Sequence, residues 1–65
     1  MLRLREVRKE KEMGQAELAN RIGLSPAAIW KFESGEINPS LETLIKLAKA
    51  LDCKLDDLVD MDAAS

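Results

Sequence analysis

Apolar residues recur along this chain at intervals of three and four, the pattern of helices that each hide one face. Leu4 and Val7 begin it, with charges on the remaining faces, so the spacing predicts a first helix over residues 2–12. Leu18, Ala19 and Ile22 carry a second helix over Gln15–Ile22, and Ile29 and Phe32 a third over Pro26–Ser34. Leu41, Leu44, Ile45, Leu47, Ala48 and Leu51 give a fourth helix a broad apolar stripe for packing on the others. A short fifth helix is expected over residues 55–60. The punctuation agrees. Gly23 stands where the chain must turn sharply, and Gly35 where the third helix must stop. Ser25 and Ser40 are good N-caps, and Pro26 suits a first helical position because its missing N–H would be unpaired there. Pro39 drives Asn38 out of the α region and makes residues 35–40 a loop. The expected core is Leu4, Val7, Leu18, Ala19, Ile22, Ile29, Phe32, Leu44, Leu47, Ala48, Leu51 and Leu55. The fold class is all-α, a compact five-helix bundle forming one domain over residues 1–65, ordered from about 2 to 60 with a frayed tail at 61–65.

Within this pattern the run QAELANRIGLSPAAIWKF, from Gln15 to Phe32, has the residue types of a helix-turn-helix in the right order. Ala19 contributes through its size, since two helices that cross steeply need a small residue where their backbones approach. The run resembles the helix-turn-helix of the Xre family, the Cro and phage-repressor type. The resemblance extends through LRLREVRKEKEMGQAELA to the family's first helix and through FESGEINPSLETLIKLAKALDCKLDDLV to its loop, fourth and fifth helices, covering about Leu2 to Val59. It implies a lambda-repressor-like bundle with helices two and three forming the DNA-reading unit. It also implies an ion pair between Arg8 and Glu33, because burying one without the other would strand a charge at a cost of roughly 3–5 kcal/mol. The chain departs from the family at five positions. Glu12 replaces a common helix-ending glycine, Gly14 replaces a capping Ser or Thr, and Cys53 replaces an apolar residue. Pro26 and Ala27 stand where Gln, Arg or Ser commonly read bases.

Composition narrows the chemistry. With 46% hydrophobic and 34% charged residues the chain suits a folded helical domain rather than a disordered one. It has no apolar run of membrane-spanning length, and its basic, polar start is not a secretory signal. One cysteine and no histidine leave no internal disulfide, zinc site or His-assisted nucleophile, so the expectation is a cytoplasmic protein, not an enzyme, with no cofactor and no metal. The net charge of −2 is unusual for a DNA binder, but it is unevenly spread. Residues 1–31 hold seven basic side chains against four acidic, and residues 32–65 three against eight. Such a dipolar domain can turn its positive half to phosphate, with strong salt sensitivity.

Rotating the third helix by 100° per residue, with Ala28, Ile29 and Phe32 inward, puts Ala27, Trp30, Lys31 and Ser34 outward and Pro26 at the exposed start. By the resemblance this face enters the major groove, where Lys31 can donate to guanine and Ala27 can touch a thymine methyl. Trp30 can pack on methyls or sugars, contact a second protein, or fold back onto the domain. Lys31 can equally be a solvated cation, and Pro26 and Ala27 simple helix-start residues. The few hydrogen-bonding groups at the tip give shape and apolar contacts a larger share of readout. The resemblance assigns phosphate contacts to Gln15, Ser25, Ser34 and Asn38, with an exposed first-turn residue as the plain alternative for Gln15. Asp56 and Asp57 complement the dipole of the fifth helix, and Cys53 reads as a small buried thiol. Leu58, Val59 and Met61 form either a homodimer seam or the closure of the core.

Two functions follow. The first is a transcriptional regulator that binds double-stranded DNA at an inverted repeat as a homodimer, formed in solution or only at high concentration or on the operator. The second is a protein-interaction or antitoxin-like module that keeps the fold with weak DNA readout. Its partner would be a toxin, a sigma subunit or a larger regulator.

Overall fold

The computed structural model describes residues 2–59. Its helices are α1 (Leu4–Glu10), α2 (Gln15–Ile22), α3 (Pro26–Ser34), α4 (Leu41–Ala50) and α5 (Leu55–Leu58). The fold is all-α, and the described residues contain no strand beyond an isolated antiparallel bridge between Leu2 and Val59. None of the helices among them is long and apolar enough to cross a membrane. Both ends of the bundle are drawn together by that bridge and by the Arg3 N–H, which donates to the Leu58 carbonyl at 2.7 Å.

Each helix supplies a fully buried aliphatic residue to one core: Leu4, Leu18, Ile29, Leu47 and Leu58, with Leu51 just past α4. Burying each contributes about 1.5–3 kcal/mol, so no helix is dispensable in so small a domain. α2 packs against α3 and α4, α5 against α4 and α1, and α1 also against α3.

The first four helices end in the same way. Each closes with a 6→1 hydrogen bond: Met13 N–H to Arg8 carbonyl, Leu24 to Ala19, Glu36 to Lys31 and Cys53 to Ala48, at 2.9–3.1 Å. This closure needs a left-handed residue. Gly23 (φ 74°) and Gly35 (φ 83°) adopt it after α2 and α3 without strain. Glu12 (φ 55°) and Asp52 (φ 53°) do so after α1 and α4 despite their Cβ atoms. Ser25 and Ser40 cap α3 and α4, accepting from the Ala28 and Thr43 N–H groups at 3.2 Å each.

Several expectations need correction. α1 spans Leu4–Glu10 rather than 2–12, because the chain before it is held by Leu58 and Val59 and the chain after it turns left-handed at Glu12. α5 ends at Leu58 rather than running on as expected, because Val59 becomes extended to meet Leu2. Ile22, Leu44 and Leu55 are half-buried, while Met13 and Leu58 join the core. Met13 follows the left-handed Glu12, the position at which an apolar residue folds back on the helix it ends. The α4 stripe is too broad to be buried whole: Leu47, Ala48 and Leu51 point inward, and Leu41 and Ile45 remain exposed. Leu58 is fully buried and Val59 is half-buried, so these two close the core and form no exposed seam; Met61 and the tail 61–65 lie outside the described residues. Cys53 is a free, half-buried thiol, its pKa pushed up by burial and by the nearby Asp57 carboxylate.

Candidate nucleic-acid interface

The outer side of α3 is fixed by what its inner side buries. Ile29 and Phe32 lie in the core, and Glu33 turns toward α1. Pro26, Ala27, Lys31 and Ser34 are left exposed, and Trp30 with them at 51%. Trp30 is therefore outside the core, with about half of its surface open. The tip of the helix carries proline and alanine, and its only side-chain N–H donors along this face are the Trp30 indole and the Lys31 ammonium.

Beside α3, the N-terminus of α2 is built around one carboxylate. The Glu33 side chain is fully buried. Arg8 Nε donates to its Oε2 at 2.6 Å and Arg8 Nη2 to its Oε1 at 3.2 Å, the bidentate fork that suits a carboxylate. The remaining Arg8 nitrogen, Nη1, donates to the Met13 carbonyl at 2.9 Å. Gln15 Nε2 donates to Oε1 at 3.0 Å, and Arg5 Nε reaches the same oxygen at 3.4 Å. Burial by itself would raise the Glu33 pKa, but the Arg8 and Gln15 hydrogen bonds and the arginine charge outweigh it and hold the carboxyl below its ordinary value. Among the described residues no buried side-chain nitrogen or oxygen lacks a partner.

Gly14 precedes α2 and has no side chain to cap it, so the first N–H groups of this helix stay open, unlike those of α3 and α4. Gln15 spends one of its two amide hydrogens on Glu33 and keeps the other. The remaining residues assigned to phosphate differ in freedom. Asn38 is exposed in the loop before α4. The Ser25 oxygen accepts the α3 cap bond and retains its hydroxyl proton. Ser34 is occupied on both sides, donating to the Lys31 carbonyl at 3.2 Å and accepting from the Glu36 N–H at 3.4 Å. Sequence reasoning assigned no contact to Arg5. Its position one turn before Arg8, on the same face of α1, was the available signal.

The profile of the helix-turn-helix family matches residues 4–58, from the start of α1 to the end of α5. The chain is a member of the Xre-type helix-turn-helix family. This helix-turn-helix chain is 43% identical over 56 residues to the cryptic phage CTXphi transcriptional repressor RstR of Vibrio cholerae serotype O1, covering 86% of the chain and 50% of RstR. The chain thus spans about half the length of that repressor. It is 37% identical over 60 residues to an uncharacterized HTH-type transcriptional regulator of Archaeoglobus fulgidus, covering 92% of the chain and 84% of the regulator. Among solved structures, the P22 c2 repressor in complex with synthetic operator 9T superimposes with a TM-score of 0.80 at 40% identity, covering 89% of this chain and 88% of that one. The relatives are named as repressors and regulators, and the helix-turn-helix family is a class of DNA-binding transcription regulators rather than of enzymes.

Proposed function

We propose that this chain is a sequence-specific DNA-binding transcriptional regulator that reads an inverted-repeat operator as a homodimer, with α3 in the major groove. The observation that carries this reading is the coincidence of two surfaces. The outer face of α3 is exposed while its inner face is locked, and beside it the uncapped N-terminus of α2 offers backbone N–H groups and the Gln15 amide. A helix N-terminus with open N–H groups accepts a phosphate, and that anchor sets the depth at which the next helix meets the bases. In this arrangement Gln15 and Asn38 hold the backbone, with Ser25 through its free hydroxyl proton, and Ser34 contributes by keeping the end of α3 in shape. Ala27, Trp30 and Lys31 face the base edges, with Pro26 at the entry. The structural likeness to the P22 c2 repressor, solved in complex with a synthetic operator, supports DNA binding by this chain.

The exposed apolar side chains Ile37, Leu41 and Ile45, the most open being Leu41 at 63%, support a seam between two copies along the start of α4. Two-fold symmetry then sets the recognition helices roughly 34 Å apart, one turn of duplex.

Selection of random duplexes against the purified chain at about 100 mM salt, a regime in which weak phosphate contacts are already thinned, tests the reading. The expected result is an enriched inverted repeat whose binding shifts Trp30 fluorescence. Salt-labile binding with no enriched sequence would reject it in favour of a protein-binding role.

A further inference from the structure

We infer that Arg5 is a phosphate contact of this interface, adjoining Gln15; the inference rests on the DNA-binding reading above. The starting point is a surplus of charge. The Glu33 carboxylate is one buried negative group, and Arg8 already matches it with two hydrogen bonds while placing its third nitrogen on the Met13 carbonyl. Gln15 adds a further donor to Oε1. Arg5 comes to a carboxylate whose needs are met. It keeps only the 3.4 Å contact through Nε, and its side chain is 51% exposed. The two terminal nitrogens of Arg5 have no acceptor among the described residues. Arg5, Arg8 and Glu33 together carry one net positive charge, and the part of it that meets solvent is the Arg5 fork.

The location of that fork matters as much as its charge. Arg5 Nε and Gln15 Nε2 donate to the same oxygen at 3.4 and 3.0 Å, so they stand at most about 6.4 Å apart. A phosphate that accepts charge-assisted bonds at about 2.8 Å can bridge donors at that separation. A guanidinium is also the group best shaped to hold two oxygens of one phosphate. As a mere second counterion to Glu33, so exposed an arginine would contribute little to folding. Lys11 provides the contrast on the same helix. Its ammonium reaches the Asp52 carbonyl at 3.4 Å, in the turn after α4.

The experiment is a salt titration of duplex binding by the wild-type chain and by Arg5→Gln, Arg5→Lys and Lys11→Gln, with melting temperature measured in parallel. Arg5→Gln is expected to weaken binding roughly three- to tenfold for operator and non-operator duplexes alike, and to lower the log–log salt slope by about 0.9. Arg5→Lys should restore most of the slope but less of the affinity, and Lys11→Gln should leave the slope close to wild type. All variants should melt within a few degrees of one another. If Arg5→Gln and Lys11→Gln are indistinguishable in slope, Arg5 touches no phosphate. If Arg5→Gln loses affinity only in step with a large fall in melting temperature, it is a strut for Glu33, and the inference is overturned. If the wild-type chain fails to bind any duplex at low salt, the DNA-binding reading falls first and this one with it.

Discussion

The two parts of the candidate interface are built on opposite principles. Around Gln15 the surface is polar and already organised, with one buried carboxylate accepting from three side chains. At the tip of α3 it is apolar and unorganised by any hydrogen bond beyond the Ser25 cap, with Pro26, Ala27 and the half-exposed Trp30. The first region can fix where the protein sits on a backbone but carries no sequence information. The second can discriminate only through methyl contacts, shape and the two donors on Trp30 and Lys31. Under the proposed function, folding and positioning are concentrated at one end and selectivity at the other.

That division predicts separable consequences. The largest effect is expected at Glu33. Glu33→Ala leaves Arg8 buried without its partner and should cost about 3–5 kcal/mol, a large share of the roughly 3–10 kcal/mol available to a domain of this size. Urea denaturation followed by circular dichroism measures it. The double variant Arg8→Met with Glu33→Leu should regain most of that stability, since an apolar pair can replace a buried ion pair. It would untether Gln15, and duplex affinity should fall although the domain folds.

Acid should produce the next largest loss. Because the folded-state pKa of Glu33 is depressed, its contribution is complete above its ordinary value, about 4.5, and disappears as the pH falls through the lower folded value. Stability of the wild-type chain should therefore decline below about pH 4 more steeply than that of the Arg8→Met, Glu33→Leu double variant. Parallel acid limbs in denaturation would contradict this.

Trp30→Ala addresses the other end. On the proposed docking the exposed indole is covered by DNA, and its loss should weaken binding to a selected operator by about 1.5–3 kcal/mol. Folding stability should change by no more than about 0.5 kcal/mol, as for other exposed positions. Equal losses on operator and random duplex would show that Trp30 carries no selectivity.

The smallest effect is a gain. Glu12→Gly should stabilise the domain by about 0.5–1 kcal/mol, since glycine adopts φ 55° without the Cβ penalty. Asp52→Gly should gain less, because Asp tolerates the left-handed region better. Neither change touches the interface, so duplex binding by the folded domain should be unaltered, and thermal melts give the difference.

Most of the fold was legible because local rules and burial point the same way. The bounds of α2 and α3 followed from Gly14, Gly23, Ser25, Pro26 and Gly35, each of which acts on its own backbone. The exposed side of α3, Trp30 included, followed from helical phase alone. α4 was harder, since six apolar residues at helical spacing do not say which of them a neighbour will cover. Leu41 and Ile45 lie where no other helix reaches. Leu55 and Leu58 were reversed in weight for a similar reason, because the bridge of Leu2 to Val59 and the Arg3 bond to Leu58 decide how α5 rolls onto α1.

What the sequence determined by itself, then, was what a residue's own backbone preference and the 100° step of a helix govern: where α2 and α3 start and stop, and which face of α3 is outward. Tertiary structure decided the rest. The gathering of Arg5, Arg8 and Gln15 on one Glu33 joins residues up to 28 positions apart. Such a cluster forms only once α1, α2 and α3 have packed, because a carboxylate is driven to collect donors when packing has taken it out of water.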